Sequence, residues 1–203
     1  MRCAVPVRFV RKTVGLLGGS FNPAHDGHRH ISLQALKLLG LDEVWWLVSP
    51  LNPLKQAKDM ASYDRRVASA EKIASHPRIK VSRVEQEINT RYTIDTISKL
   101  QEMYPDISFV WLMGADNLLE FHHWYCWRSI MHAVPIAVFA RKNYALRALH
   151  GKTARLYRLY RHLPQEAHRL AFMKPPAWIF LPIRKHPASA TEIRNKGLFQ
   201  VGD

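Results

Sequence analysis

Two histidines three residues apart, His25 and His28, close the run Gly18-Gly19-Ser20-Phe21-Asn22-Pro23-Ala24-His25-Asp26-Gly27-His28. An imidazole N–H placed there can donate to phosphate oxygens that gain charge in a transition state. Gly18 and Gly19 remove Cβ atoms where backbone turns sharply or approaches a ligand. Asn22-Pro23 is a turn signal, and Gly27 lies where a helix start offers N–H groups to an anion. No third His or Cys follows at ligand spacing and HExxH is absent, so no metal site is expected. The dinucleotide GxGxxG and the P-loop GxxxxGK[ST] are absent too. Late in the chain, Ser189-Ala190-Thr191-Glu192-Ile193-Arg194 offers two hydroxyls and a guanidinium able to bridge phosphate oxygens. Each group alone has an ordinary alternative: surface or capping histidines, and a solvated helix arginine.

These residues need elements to position them, and the chain supplies an alternation of strand and helix patterns. Short apolar runs rich in Val, Ile and Trp occur at Thr13–Leu17, Val44–Val48, Ile79–Val84, Ser108–Met113, Ile136–Ala140 and Trp178–Pro182. Such runs belong to strands buried on both faces of a parallel sheet. Helical patterns follow at His28–Leu39, Asp64–Ala74, Tyr92–Met103 and Tyr125–His132, ending near Gly40, Pro77, Pro105 and Pro135. Leu146–His162 reads as a basic helix with Leu149, Leu156, Leu159 and Leu163 as its apolar side. The expected fold is α/β: a Rossmann-like open, mostly parallel sheet with helices on both faces. Ligands of such sheets bind beyond the carboxyl ends of the strands. Several polar groups fall in those turns: Asn52 and Lys55 after the second strand, Tyr92 and Thr93 after the third, Gly114 and Asp116 after the fourth, and Arg141 after the fifth. Thr93 and Asp116 suit helix N-caps equally well. Arg141, at the end of the fifth strand, is a candidate partner for a substrate phosphate. One domain is expected over residues 1–203, with a basic segment at 1–12 and a C-terminal helical segment at 184–203.

The run GGSFNPAHDGH resembles the signature of the nucleotidyltransferase superfamily with the (H/T)xGH motif, carried here by His25-Asp26-Gly27-His28. Its GGSFNPxHxGH form is similar to bacterial nicotinate-nucleotide adenylyltransferases. Ser189 to Arg194 matches the late S-[SA]-T-x-I-R motif of that family, with Ala188 where an isoleucine usually leads. The resemblance runs from Thr13 to Leu198 and implies adenylyl transfer from ATP to nicotinate mononucleotide, giving deamido-NAD and pyrophosphate. It implies catalytic roles for His25, His28 and Arg194. ATP contacts would come from Gly18, Gly19, Ser20, Phe21, Gly27, Gly114, Asp116, Ser189, Thr191 and Arg194, with Asp116 on the adenosine ribose. The mononucleotide would meet Asn52, Lys55, Tyr92, Thr93, Trp124 and Arg141. Trp124 would stack on the pyridine, and the backbone at Tyr92 and Thr93 would hold its carboxylate. Mg²⁺ is expected to arrive with ATP, without a dedicated protein site. The attacking phosphate is largely a dianion at neutral pH, its second pKa being near ~6, so no general base is needed. Related acceptors, nicotinamide mononucleotide or phosphopantetheine, are the alternatives. His25 in place of threonine disfavours the latter.

Composition bounds the rest. With 203 residues, 47% of them apolar and 23% charged, the chain can bury a core without disulfide staples. Its two cysteines, Cys3 and Cys126, cannot build a disulfide framework. The longest apolar run, Ile107 to Ala115 with Ser108 and Gly114 counted in, is too short to span a bilayer. Arg8, Arg11 and Lys12 interrupt any apolar core of a secretory signal, so a cytoplasmic location is expected. The net charge of +14 suggests a nucleic-acid binder at first sight. Yet residues 1–12 and 141–170 contribute +4 and +7 of it, away from every motif. No RNP1 or GXXG element accompanies the charge. The expected partners are therefore small-molecule phosphates, with neither nucleic acid nor membrane.

Overall fold

A computed structural model of the chain describes residues 11–50, 60–141, 144–184, 186, 188 and 190–199. Seven strands form one sheet: β1 Lys12–Gly19, β2 Glu43–Val48, β3 Ile79–Ser82, β4 Ile107–Gly114, β5 Ile136–Phe139, β6 Arg161–His162 and β7 Trp178–Leu181. Their order is β3-β2-β1-β4-β5-β7-β6, and every neighbouring pair is parallel. From β1 the chain moves outward to β3, then crosses back to lay β4 against the other side of β1. The switch in direction therefore falls between β1 and β4, where α/β sheets open a crevice at their carboxyl ends.

Alternation along the strands explains why both faces are covered. In β1, Leu17 packs into one apolar cluster while Leu16 packs into the other. Helices α1 Asp26–Leu38 and α2 Tyr63–Ile73, with a 3₁₀ stretch at Pro164–Phe172, bury Ile31, Ala35, Val67, Ala70 and Leu170 against the first face. The second face is covered by α3 Val84–Glu87, α4 Thr93–Met103, α5 Ala115–Glu120, α6 Trp127–Ala133, α7 Ala145–Leu149 and α8 Lys152–Leu156. A last helix, α9, spans Ala190–Asn195. The α/β open parallel sheet with helices on both faces is thus the fold of the described residues.

The single basic helix expected over Leu146–His162 is not formed. Two short helices replace it, separated at His150-Gly151, and the chain then enters the edge strand β6. Its buried side chains are Ala148, Thr153, Ala154 and Tyr157, whereas Leu156, Leu159 and Leu163 are exposed. The cause is packing. Small residues let the backbone lie close to the sheet-covering layer, and a Cβ at Gly151 would meet Ala148 O at 3.1 Å. Of the expected apolar side, only Leu149 packs against the core.

Candidate active site

His25 is the N-cap of α1, and the motif spacing creates a reciprocal cap from two imidazoles. The Gly27 N–H donates to His25 Nδ1 at 3.1 Å, and the His25 N–H donates to His28 Nδ1 at 3.2 Å. This is the arrangement of a Ser-x-x-Glu capping box, built from histidines. It fixes chemistry as well as structure: a neutral imidazole that accepts at Nδ1 carries its proton on Nε2. The two rings lie 3.9 Å apart between centroids. Burial, reinforced by Arg141 and His186 and opposed by Asp26, lowers the His25 pKa to about 4. His25 is therefore a neutral hydrogen-bond donor at neutral pH, and no proton acceptor.

Residues before the cap hold it in place. Phe21 adopts a left-handed backbone (φ 46°), rare for a bulky side chain. Its ring is buried, stacked on Trp46 at 5.1 Å and tilted against His28 at 4.8 Å. The Phe21 side chain thus supports His28 from inside the core and is not exposed to a ligand. Trp46 Nε1 donates to Ser32 Oγ, which donates to His28 O at 2.9 Å, so a core residue on β2 braces the first turn of α1. The glycines differ from expectation in their use of space. A Cβ at Gly18 would meet the Trp111 ring at 2.5 Å, so this glycine admits an indole. The Gly27 amide is engaged by His25 and is not open to an anion as its helix-start position suggested. A Cβ at Gly27 would strike the His25 ring at 2.8 Å.

Arg194 reaches this turn from 172 residues away and donates through Nη1 to Asn22 O, with Thr191 Oγ1 3.5 Å from Nη2. The late motif opens α9 as expected, and its arginine is brought to the HxGH turn. Asp116 and Arg141 also meet, at 2.7 Å. Gly114 makes room for them, since a Cβ there would lie 2.3 Å from Asp116 Oδ1 and 2.8 Å from Arg141 Cδ. Gly114 itself is the N-cap of α5, which removes the N-cap alternative for Asp116. Among the described residues Asp116 Oδ1 is buried with no hydrogen-bond partner, an acceptor left over from the ion pair. Arg141, expected at a mononucleotide phosphate, is paired with the Asp116 carboxylate. A cleft lined by Gly27, His30, Ile31, Ala140, Arg141, Ile183, His186 and Ala188 joins the first turn, the exit of β5 and the start of the late motif.

The expected mononucleotide residues form a second group. Tyr92, and not Thr93, is the N-cap of α4; Thr93 is its first helical residue. The Tyr92 ring lies 4.3 Å from that of Tyr125. Trp124 is half-buried, 5.1 Å from Phe121 and edge-on to Trp111 at 6.3 Å. Since Trp111 underlies Gly18, one indole separates Trp124 from the end of β1. Trp127 packs on Phe121 and Tyr157, a structural role. Asn52, Lys55 and Ser189 lie outside the described residues.

Three positions in the neighbourhood were not anticipated from the sequence. His30 meets the Arg184 carbonyl at 2.8 Å and the His186 ring at 5.5 Å. Glu85 is a buried carboxyl, with Thr96 Oγ1 3.3 Å from its Oε1. Arg66 is buried in α2. Nothing in their local sequence separates them from surface residues, because the groups they meet, backbone carbonyls for His30 and Arg66 and a side-chain hydroxyl for Glu85, belong to other segments of the chain.

The chain matches the cytidylyltransferase-like family model over residues 16–196. It is 49% identical over 185 residues to a Ruegeria sp. (strain TM1040) protein named "Probable nicotinate-nucleotide adenylyltransferase", covering 91% of this chain and 97% of that relative. A Parvibaculum lavamentivorans protein of the same name is 52% identical over 184 residues, covering 91% and 92%. Among solved structures, Plasmodium falciparum nicotinic acid mononucleotide adenylyltransferase complexed with NaAD superposes with a TM-score of 0.68 at 16% identity, covering 91% of this chain and 83% of that one. At that identity the likeness speaks for the fold.

Proposed function

The chain belongs to the nicotinate-nucleotide adenylyltransferases of the cytidylyltransferase-like family, and from that premise we propose a mechanism of alignment and charge relief. The reaction is adenylyl transfer in NAD biosynthesis. A phosphate oxygen of nicotinate mononucleotide attacks the α-phosphorus of ATP; a P–O bond forms, the α–β anhydride bond breaks, and pyrophosphate leaves with its electron pair. The observation that carries this reading is the meeting of Arg194 with the His25–His28 turn beside the switch point.

The nucleophile arrives ionised, so the site needs donors and not a base. The Nε2–H groups of His25 and His28 supply them without changing protonation state, consistent with the lowered pKa of His25. Arg194 adds a cation for the phosphate chain, with Thr191 and Ser189 beside it in sequence. Each pre-aimed donor of this kind is worth roughly 2.7–4 kcal/mol of barrier. Asp116 Oδ1 takes a ribose hydroxyl, and its partner Arg141 faces the same cleft. The first N–H groups of α4, at Thr93, suit the pyridine carboxylate, and Trp124 offers an aromatic face to the ring. Asn52 and Lys55 are assigned to the mononucleotide by resemblance alone. Mg²⁺ enters as part of the ATP substrate, because it is a hard cation that prefers oxygen ligands, and the side chains of His25, His28 and Arg194 offer it none. We take the chain as one nucleotidyltransferase domain working in the cytoplasm; no helix among the described residues is long and apolar enough to cross a membrane.

Pyrophosphate release with ATP and, side by side, nicotinate mononucleotide, nicotinamide mononucleotide and phosphopantetheine tests the assignment. Highest kcat/KM with the nicotinate form is expected. Preference for the nicotinamide form would overturn the role given to the start of α4.

A further inference from the structure

Arg66 is 1% exposed, yet among the described residues no carboxylate pairs with it. Its guanidinium spends its donors on four main-chain carbonyls instead. Nε donates to Ala61 O at 3.1 Å, Nη1 to Ser20 O at 2.8 Å and Ser49 O at 2.7 Å, and Nη2 to Pro50 O at 2.9 Å. Burial lowers its pKa from the ordinary guanidinium value, the expected sign for a cation taken out of water. Packing alone does not ask for a charge here, since an apolar side chain of similar volume generally serves a core as well or better. What a guanidinium supplies is a planar fork of donors with fixed directions.

The four acceptors belong to three separate pieces of chain: the turn that leads to His25, the exit of β2, and the approach to α2. They are tied further by the Ala61 N–H, which donates to Asn22 Oδ1 at 3.1 Å. Asn22 in turn accepts Arg194 through its carbonyl. Two arginines from distant parts of the sequence therefore grip the same turn two residues apart, Arg66 at Ser20 and Arg194 at Asn22. One holds it to the neighbouring strand exit, and the other carries the late motif onto it.

We propose that Arg66 is a positioning residue for adenylyl transfer, a buried cation that fixes the Ser20–His25 turn relative to the β2 exit through four carbonyls. This rests on the adenylyltransferase reading above and deepens it. The turn belongs to the ATP side and the β2 exit leads to the mononucleotide side. Loosening their mutual placement leaves each substrate's own contacts in place and misaligns the attacking oxygen with the α-phosphorus. The defect is thus expected in kcat and not in either KM.

The test uses the full chain with Arg66→Lys and Arg66→Ala, measuring kcat, both KM values and the circular-dichroism melt. Wild-type turnover of ATP with nicotinate mononucleotide is established first, so failure of the functional reading is seen before any variant is made. Lysine keeps the charge but has one donor atom, which cannot reach four carbonyls. About a hundredfold loss of kcat is expected for the folded lysine variant, with each KM within about threefold. Millimolar guanidinium is expected to restore part of the kcat of Arg66→Ala, and methylammonium to restore none. A lysine variant with kcat within about threefold of wild type overturns the proposal. So does a loss confined to KM, a folded alanine variant that guanidinium does not rescue, or failure of both variants to fold, which would assign Arg66 to stability alone.

Discussion

Around the turn after β1, polar side chains point inward: Asn22, His25, Arg66 and Glu85 are all buried. Across residues 144–172 the reverse holds, and large apolar side chains point outward, among them Leu146, Leu156, Leu159, Leu163 and Phe172. The two departures are not equivalent in cost. A buried polar group must find partners or lose free energy, and here they are found: the His25–His28 cap, the carbonyls around Arg66, and Thr96 beside Glu85. An exposed leucine costs little and needs no partner. The inward polar groups thus mark where orientation is maintained against the preference of a core. The outward leucines mark where the chain only has to cover one edge of the sheet.

The largest effect is expected at His28. Replacing it by alanine removes one donor aimed at the phosphates, and kcat/KM should fall by roughly a hundredfold to a thousandfold. The same change removes half of the cap, at about 1 kcal/mol, so the melt should shift by only a few degrees. Steady-state pyrophosphate release and a thermal melt read the two effects separately. Near-wild-type turnover would break the comparison, because the buried polar turn would then be no more functional than the exposed edge.

The comparison also explains what could be read from the sequence. The HxGH spacing was legible because its geometry is local: a cap and its third helical residue are neighbours in the chain. The central strands were legible because they are short, nearly continuous apolar runs buried on both faces, whereas the edge strand β6, Arg161-His162, carries no such run and was not. Arg194 was found through its motif, although its partner is 172 residues distant. Arg66 escaped because Asp64-Arg65-Arg66-Val67 reads as a solvated turn of helix, and what makes it special is two distant carbonyl-bearing segments together with Ala61 just before the helix. The helix expected over Leu146–His162 was misread for the opposite reason. Helical periodicity placed leucines in the core, but Gly151 broke the helix and small residues took the buried positions. Tertiary packing overrode a weak local pattern.

A middle-sized effect sharpens the contrast at Glu85. Burial raises its carboxyl to about 7, while hydrogen bonds from Thr96 and Ser49 work the other way. The folded state therefore favours the neutral acid relative to the unfolded chain. Its contribution to stability is complete below the unfolded pKa near ~4.5 and is lost as pH rises through the folded value, by up to about 3 kcal/mol. Glu85→Gln mimics the neutral acid and removes this dependence. Urea melts should show the variant gaining on wild type between about pH 5 and about pH 8.5. An equal difference at both pH values would show that the carboxyl does not titrate in this range and that its burial is without consequence.

The smallest effect is expected on the exposed edge. Leu159 and Leu163 are 83% and 66% exposed. If they formed the apolar side of a continuous helix, replacing both by serine would cost at least the roughly 2–5 kcal/mol of a buried leucine truncation. In the observed arrangement the large core contact of this region is Tyr157, beside the small buried Ala148 and Ala154; it packs against Trp127, and its carbonyl accepts Trp178 Nε1 at 2.8 Å. Leu159→Ser with Leu163→Ser should therefore change stability by no more than about 0.5 kcal/mol per site and leave kcat unaltered. A denaturant melt decides between the two, since the alternatives differ several-fold. A loss of core size would return these leucines to the interior, and the outward turn of apolar residues would cease to distinguish this edge from the site.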